Sequence, residues 1–237
     1  MKRFFEDFLS LFFPNICVAC GVPLIAGEEQ ICISCLNKLP RTYISKYGNP
    51  TDRLFKNNIN ILQSSAFLYY DKGGVAQKLI HSLKYHNNKK TGYTLGRLAA
   101  IELRSHPDFI LPDLLIPVPL HPKRQRKRGY NQSELIAKGM SSILDIPIDT
   151  THLKRLKKTK TQTNKSISER NENVKQIFVL EREEELYEKH ILLIDDVLTS
   201  GATITNCTQA FKQTSAQTSA SQDKIKISVF AIAVARF

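Results

Sequence analysis

The sequence predicts an α/β protein, a mostly parallel sheet flanked by helices, with a small four-cysteine module ahead of it. Three observations carry that prediction. Short apolar runs suited to buried strands alternate with stretches of helical period across residues 61–237. One run, Ile191-Leu192-Leu193-Ile194, leads directly into two acids and a turn rich in hydroxyls and glycine. Four of the five cysteines fall between residues 17 and 35 in two CxxC pairs.

In chain order, residues 3–13 carry Phe4, Phe5, Phe8, Leu9, Leu11, Phe12 and Phe13, a wide apolar face at helical spacing that Pro14 ends. That face either packs onto the rest of the protein or docks on a partner or a membrane surface. Residues 1–38 are therefore read as an amphipathic helix plus the cysteine module, 39–60 as a linker, and 61–237 as the main domain. Ser65 to Tyr70 suit a strand. Val75, Leu79, Ile80 and Leu83 mark a helix after Gly73-Gly74, and a second helix is expected over 93–104. Leu114 to Val118 form a short strand closed by prolines, and 121–129 read as a basic loop. Leu135, Ile136, Gly139, Met140, Ile143 and Leu144 mark another helix, and 202–211 one more. The last strand falls over 226–235, and 212–223 look like a flexible surface insertion.

Cys17, Cys20, Cys32 and Cys35 form CxxC, eleven residues, CxxC. Each pair can turn two sulfurs toward one ion, and two such knuckles complete a tetrahedron, so the pattern points to structural zinc. A closed set of four thiolates leaves no open position for substrate. In a reducing compartment disulfides are the weaker alternative. Cys207 falls inside an expected helix and reads as a small buried hydrophobe.

Asp195 and Asp196 stand at the end of an apolar strand, where ligands of open α/β sheets bind. Thr199, Ser200, Gly201, Ala202 and Thr203 then open a helix, so backbone N–H groups and hydroxyls can converge on a phosphate. Two carboxylates beside a phosphate loop fit a ribose 5-phosphate, with the acids accepting from sugar hydroxyls. An ordinary capped helix after a strand is the plainer alternative.

The 237 residues are 42% hydrophobic and 24% charged, a globular composition with room for one core and an appendage. The net charge of +12 and pI near 9.5 favour polyanions. Residues 123–165 hold twelve Lys/Arg against three acids; a merely solvated basic surface is the bland alternative. Glu6 and Asp7 interrupt the apolar start and no run of about eighteen apolar residues exists, so neither a secretory signal nor a membrane span is expected. The expected location is the cytoplasm, with membrane association only peripheral or through a partner.

The segment Asp195, Asp196, Val197, Leu198, Thr199, Ser200, Gly201, Ala202, Thr203 closely resembles the signature of type I phosphoribosyltransferases. The resemblance implies that Asp195 and Asp196 contact the ribose hydroxyls of phosphoribosyl pyrophosphate and act as the catalytic pair. It implies too that 199–203 hold the 5-phosphate, and that magnesium accompanies the donor, held mainly through ligand oxygens and water. Phe13-Pro14, the four cysteines, the stretch from Ile116-Pro117-Val118-Pro119 through His121-Pro122 to Arg128-Gly129-Tyr130-Asn131-Gln132, and Arg155, Thr159, Gln162, Arg170, Asn173 and Phe178 are together similar to the ComF family, over about residues 11–237. Tyr130 stands where Phe is expected and Lys165 where many members carry an apolar residue.

That resemblance implies a phosphoribosyltransferase-like fold, a role in natural competence and DNA uptake, handling of single-stranded DNA, and a DNA-translocating helicase as partner. Lys84, Arg124, Arg126 and Arg128 are candidates for the pyrophosphate. Lys127, Tyr130, Lys154, Arg155, Lys157, Lys158, Lys160 and Lys165 are candidates for nucleic acid, with Tyr85 and Tyr93 as further rings for stacking. The favoured reading is a donor-binding protein of DNA uptake. The alternative is an active phosphoribosyltransferase with an unknown nucleobase or amine acceptor.

Overall fold

The computed structural model describes residues 14–43, 49–56, 58, 61–85, 88–156, 177–215 and 225–236. The helix expected over 3–13, Lys157, Lys158, Lys160 and Lys165, and most of the 212–223 insertion lie outside the described residues.

Four parallel strands form the central sheet: β1 (Ile61–Tyr70), β2 (Leu114–Pro117), β5 (His190–Leu198) and β6 (Lys226–Ala235), in the order β1-β6-β5-β2. A parallel sheet covered on both faces needs strands that are apolar on both sides. β6 meets this with an unbroken buried stretch from Ile227 to Val234. Successive residues of β5 feed opposite cores. Leu192 and Ile194 pack with helices α3 (Val75–Tyr85), α4 (Lys89–Arg104) and α6 (Gln132–Leu144). Ile191 and Leu193 pack with α7 (Ala202–Ser215) and with the antiparallel hairpin of β3 (Leu153–Arg155) and β4 (Phe178–Leu180). The result is three layers, with the ends of β2 and β5 side by side.

Several boundaries differ from expectation. The stretch 39–60, expected as a linker, is packed where it is described. Tyr69 N–H donates to the Pro40 carbonyl (2.7 Å) and Thr42 N–H to that of Phe67 (3.1 Å), so this stretch lies along the outer edge of β1. Further on, a short helix α2 (Asp52–Phe55) buries Phe55 in the core beneath α7. Helix α4 starts at Lys89 rather than near 93, because Asn88 caps it by accepting from Thr91 N–H (3.3 Å). Helix α7 runs four residues past 211 to Ser215.

The expected basic loop over 121–129 is instead helix α5 (Pro122–Arg128). Pro122 occupies its first turn, His121 caps it by accepting from Lys123 N–H (3.2 Å), and Gly129 ends it at a φ of 76°. The Arg, Lys and Gln side chains between them are good helix formers, which a reading based on apolar period does not register.

The cysteine module contains the short helix α1 (Ile33–Asn37). Cys17, Ala19, Ile31, Cys32, Cys35 and Leu39 join the same buried cluster as α3 and α4. Arg97 pairs with Glu29 (3.2 Å) at the exposed seam between module and α4. No helix among the described residues is long and apolar enough to cross a membrane.

Candidate functional site

The carboxyl edge of the sheet opens into a cavity of about 340 Å³, within the range that holds small ligands. β5 contributes Asp195, Asp196 and Val197, the turn after it Thr199, and the first turn of α7 Thr203. Lys84 reaches in from the last turn of α3, Arg124 and Arg128 from α5, and Arg155 from the end of β3. Asn131, Gln132 and Ser133, at the start of α6, close the floor. Two carboxylates thus face four cations and several neutral donors.

The two acids are held differently. Asp196 Oδ2 pairs with Lys84 Nζ at 3.0 Å, with both side chains largely covered. Asp195 Oδ1 accepts from Asp196 N–H (2.8 Å) and from the Ser133 hydroxyl (3.4 Å). Burial, and then the neighbouring Asp196 carboxylate, push Asp195 up to about 7. Arg155 lies over the Phe178 ring (5.1 Å). Burial lowers its pKa, and it also senses Cys207, Arg124 and Asp195.

The turn after β5 is shaped by Gly201, which sits at a φ of 72°; a Cβ there would lie 3.1 Å from Phe55 Cε1. Leu198 is buried in the core. Of the expected loop, Val197, Thr199 and Thr203 line the cavity, and Ser200 is exposed beside them.

Lys84, expected at the pyrophosphate, lies in the last turn of α3 and pairs with Asp196. Arg124 and Arg128 reach the cavity, whereas Arg126 and Lys127 line an adjoining one. Arg155, expected on a nucleic-acid surface, belongs to the same wall as the acids. Tyr130, expected to offer its ring to a base, lines that adjoining cavity but is only 8% exposed, and its hydroxyl donates to the Leu83 carbonyl. Lys154 is half-buried on the β3–β4 hairpin, opposite Val179. Cys207 is buried, as expected.

Asn131, Gln132 and Ser133 also line the cavity, without a role expected for them from the sequence. Asn131 caps α6, accepting from Ser133 N–H (3.1 Å), while its amide donates to the Val118 carbonyl (3.0 Å). Gln132 accepts from Arg128 (2.7 Å), and its own amide nitrogen is buried with no partner among the described residues. Such an unmatched donor at a cavity wall is suited to a ligand oxygen. The usable signal was the place of Asn131-Gln132-Ser133 after the prolines that end β2, a strand whose end lies beside that of β5.

The four thiols of the module form a second cluster, with ligand atoms all within 4.8 Å of one another. Cys17 N–H bonds Val22 O and Gly21 N–H bonds Cys17 O, both at 2.8 Å, which turns the first CxxC pair into a knuckle. Cys32 precedes α1 and Cys35 sits within it. Burial opposes ionisation of Cys17, but N–H groups of Cys32, Cys20 and Ala19 outweigh it and bring the thiol to about 7. Burial and the other three sulfurs push Cys35 up to about 12. Four thiols this close cannot all ionise alone; a bound cation resolves the conflict, so the donor set fits a tetrahedral metal such as zinc.

A parallel sheet carrying an acid pair, a hydroxyl turn and converging cations at its carboxyl edge is the architecture of a phosphoribosyltransferase-type domain. The phosphoribosyl transferase domain family matches residues 131–234. Competence protein F of Haemophilus influenzae is 34% identical over 215 residues, covering 85% of this chain and 93% of its own length. DNA utilization protein YhgH of Shigella flexneri is 29% identical over 215 residues, covering 86% and 94%. Among solved structures, the glutamine phosphoribosylpyrophosphate amidotransferase from B. subtilis superposes with a TM-score of 0.42 at 13% identity, over 64% of this chain and 30% of that one. The chain belongs to the ComF family, with a type I phosphoribosyltransferase-like fold and four N-terminal cysteines positioned for a zinc module.

Proposed function

We propose that this protein binds phosphoribosyl pyrophosphate with magnesium at the β5 edge and acts in DNA uptake by handling single-stranded DNA. The ribose hydroxyls lie on Asp195 and Asp196, and the 5-phosphate in the turn of residues 199–203. The pyrophosphate faces Lys84, Arg124, Arg128 and Arg155. One observation carries the reading: the acid pair, the threonines of the turn and four cations line a single cavity. The DNA role draws on the names of the relatives, competence and DNA utilization, and on the net charge of +12. A DNA-translocating helicase is the partner that the resemblance to the ComF family implies. Zinc in the Cys17, Cys20, Cys32, Cys35 cluster serves folding. Calorimetric titration with phosphoribosyl pyrophosphate and magnesium tests the donor site. The wild type gives saturable heat and Asp195→Ala/Asp196→Ala gives none; a silent wild type sinks the reading.

The position of the acids also favours a second reading, an active transferase. Carboxylates that accept from ribose hydroxyls lie where positive charge develops on the ribose ring during transfer. A nucleobase or amine nitrogen then bonds to the ribose C1 and gives up a proton, so the acceptor takes the phosphoribosyl group as pyrophosphate leaves. Pyrophosphate release from the wild type, dependent on an added base or amine and absent in the double variant, is the corresponding readout.

A further inference from the structure

The donor cavity has a cationic neighbour. This second cavity, of about 720 Å³, shares Lys84, Arg124 and Arg128 with the first and adds Tyr85, Arg126 and Lys127. No acid lines it. Among the described residues, Arg124, Arg126, Lys127 and Arg128 enter no ion pair with a carboxylate. Uncompensated cations grouped in a concavity concentrate polyanions. Tyr85 adds an aromatic ledge: it is 64% exposed, with the Arg128 guanidinium 5.5 Å from its ring centre and the His81 ring at 4.5 Å. A cationic groove with an exposed ring is the recipe for binding single strands, since phosphates meet charge and bases meet a π surface. A flat anionic membrane fits a concave pocket poorly.

We propose that single-stranded nucleic acid occupies this second cavity, and that the strand and phosphoribosyl pyrophosphate oppose each other through Lys84, Arg124 and Arg128. The inference rests on the donor reading of the first cavity. Pyrophosphate bound there engages the three shared cations and places negative charge beside the second cavity. A strand arriving next loses those cations and meets like charge. Linkage makes the effect reciprocal: each ligand weakens the other by the same factor, in the range of roughly 5–150-fold typical of such coupling. The donor thereby acts as a release signal for the strand.

The test follows anisotropy of a fluorescein-labelled oligo-dT on the full chain at fixed ionic strength, with and without phosphoribosyl pyrophosphate and magnesium. Donor binding is measured separately by calorimetry. In the wild type the donor weakens oligo-dT. Arg126→Ala/Lys127→Ala, exposed and outside the donor cavity, weakens oligo-dT but leaves the heat of donor binding unchanged. Alanine is favoured in helices, so α5 persists. Absence of donor heat overturns the donor reading and the opposition with it. Donor heat with oligo-dT affinity unmoved by the donor overturns the opposition alone. Loss of donor binding in the Arg126/Lys127 variant makes the second cavity part of the donor seat and overturns the proposal. So does binding of phosphatidylglycerol vesicles in place of oligo-dT.

Discussion

Asp195 is placed where its charge has a cost. Its folded pKa of about 7 lies above the value of about 3.9 expected in an unfolded chain. An acid shifted this way costs nothing below pH ~4. The cost grows as pH rises from ~4 to ~7 and is complete above that. Asp195→Asn removes the ionisation and keeps the shape. It therefore raises stability at pH 8 by about 2–4 kcal/mol, at roughly 1.4 kcal/mol per pKa unit, and changes little at pH 4. Thermal melts of both proteins at the two pH values check this; equal melting temperatures at pH 8 would show that Ser133 and the nearby cations already neutralise the charge. The same substitution abolishes donor binding, the pattern of a group kept for a ligand at the expense of the fold. Gly201→Ala adds a second residue-scale prediction. It forces a side chain to a φ of 72° against Phe55, costing about 1–2 kcal/mol and weakening donor affinity in the same calorimetric titration. Asp195, Asp196 and the four cysteines were legible because their chemistry is written in short stretches of sequence. Ser133, Gln132 and Arg155 were not, since only the pairing of β2 with β5 and the β3–β4 hairpin bring them to the acids.

At the scale of elements, α4 and α6 meet more closely than side chains permit. A Cβ on Gly96 would strike the Ile136 carbonyl, and one on Gly139 the Tyr93 carbonyl, so the two helices touch backbone to backbone. Gly139→Ala must push them apart, with loss of stability of about 3 kcal/mol, read from the midpoint of urea unfolding. The apolar period of α6 announced the helix, but nothing in it announced this contact. The reverse failure occurred at α5, whose side chains from Lys123 to Arg128 are all polar. A helix without an apolar face is invisible to periodicity, and only its ends, His121-Pro122 and Gly129, specify it. The cysteine module is tied to α3 and α4 by a shared core, so losing its ion disturbs more than the module. On the zinc reading, a strong chelator lowers the melting temperature by about 10 °C, matching a loss of about 3–5 kcal/mol for a chain of this size. Cys20→Ser reproduces the effect without chelator.

For the whole molecule, the alternation of strands and helices was readable, but the strand order β1-β6-β5-β2 was not, because periodicity says which face is buried and nothing about neighbours. That order makes one site out of segments as distant as Lys84, Arg155 and Thr203. It also decides how the net charge of +12 is used. If overall charge alone drew nucleic acid to the protein, removing any two exposed cations would weaken binding alike. If the second cavity does so, location matters. Each cation in contact with a strand contributes about 0.7 to the slope of log affinity against log salt. Arg126→Ala/Lys127→Ala should therefore reduce that slope by about 1.4, since both residues line the cavity. Lys72→Ala/Lys138→Ala removes the same charge from exposed sites outside both cavities and should change the slope by less than about 0.5. Oligo-dT titrations across a salt series measure both slopes. Equal changes would assign binding to the protein's charge as a whole; a change confined to the first variant assigns it to the groove beside the donor cavity.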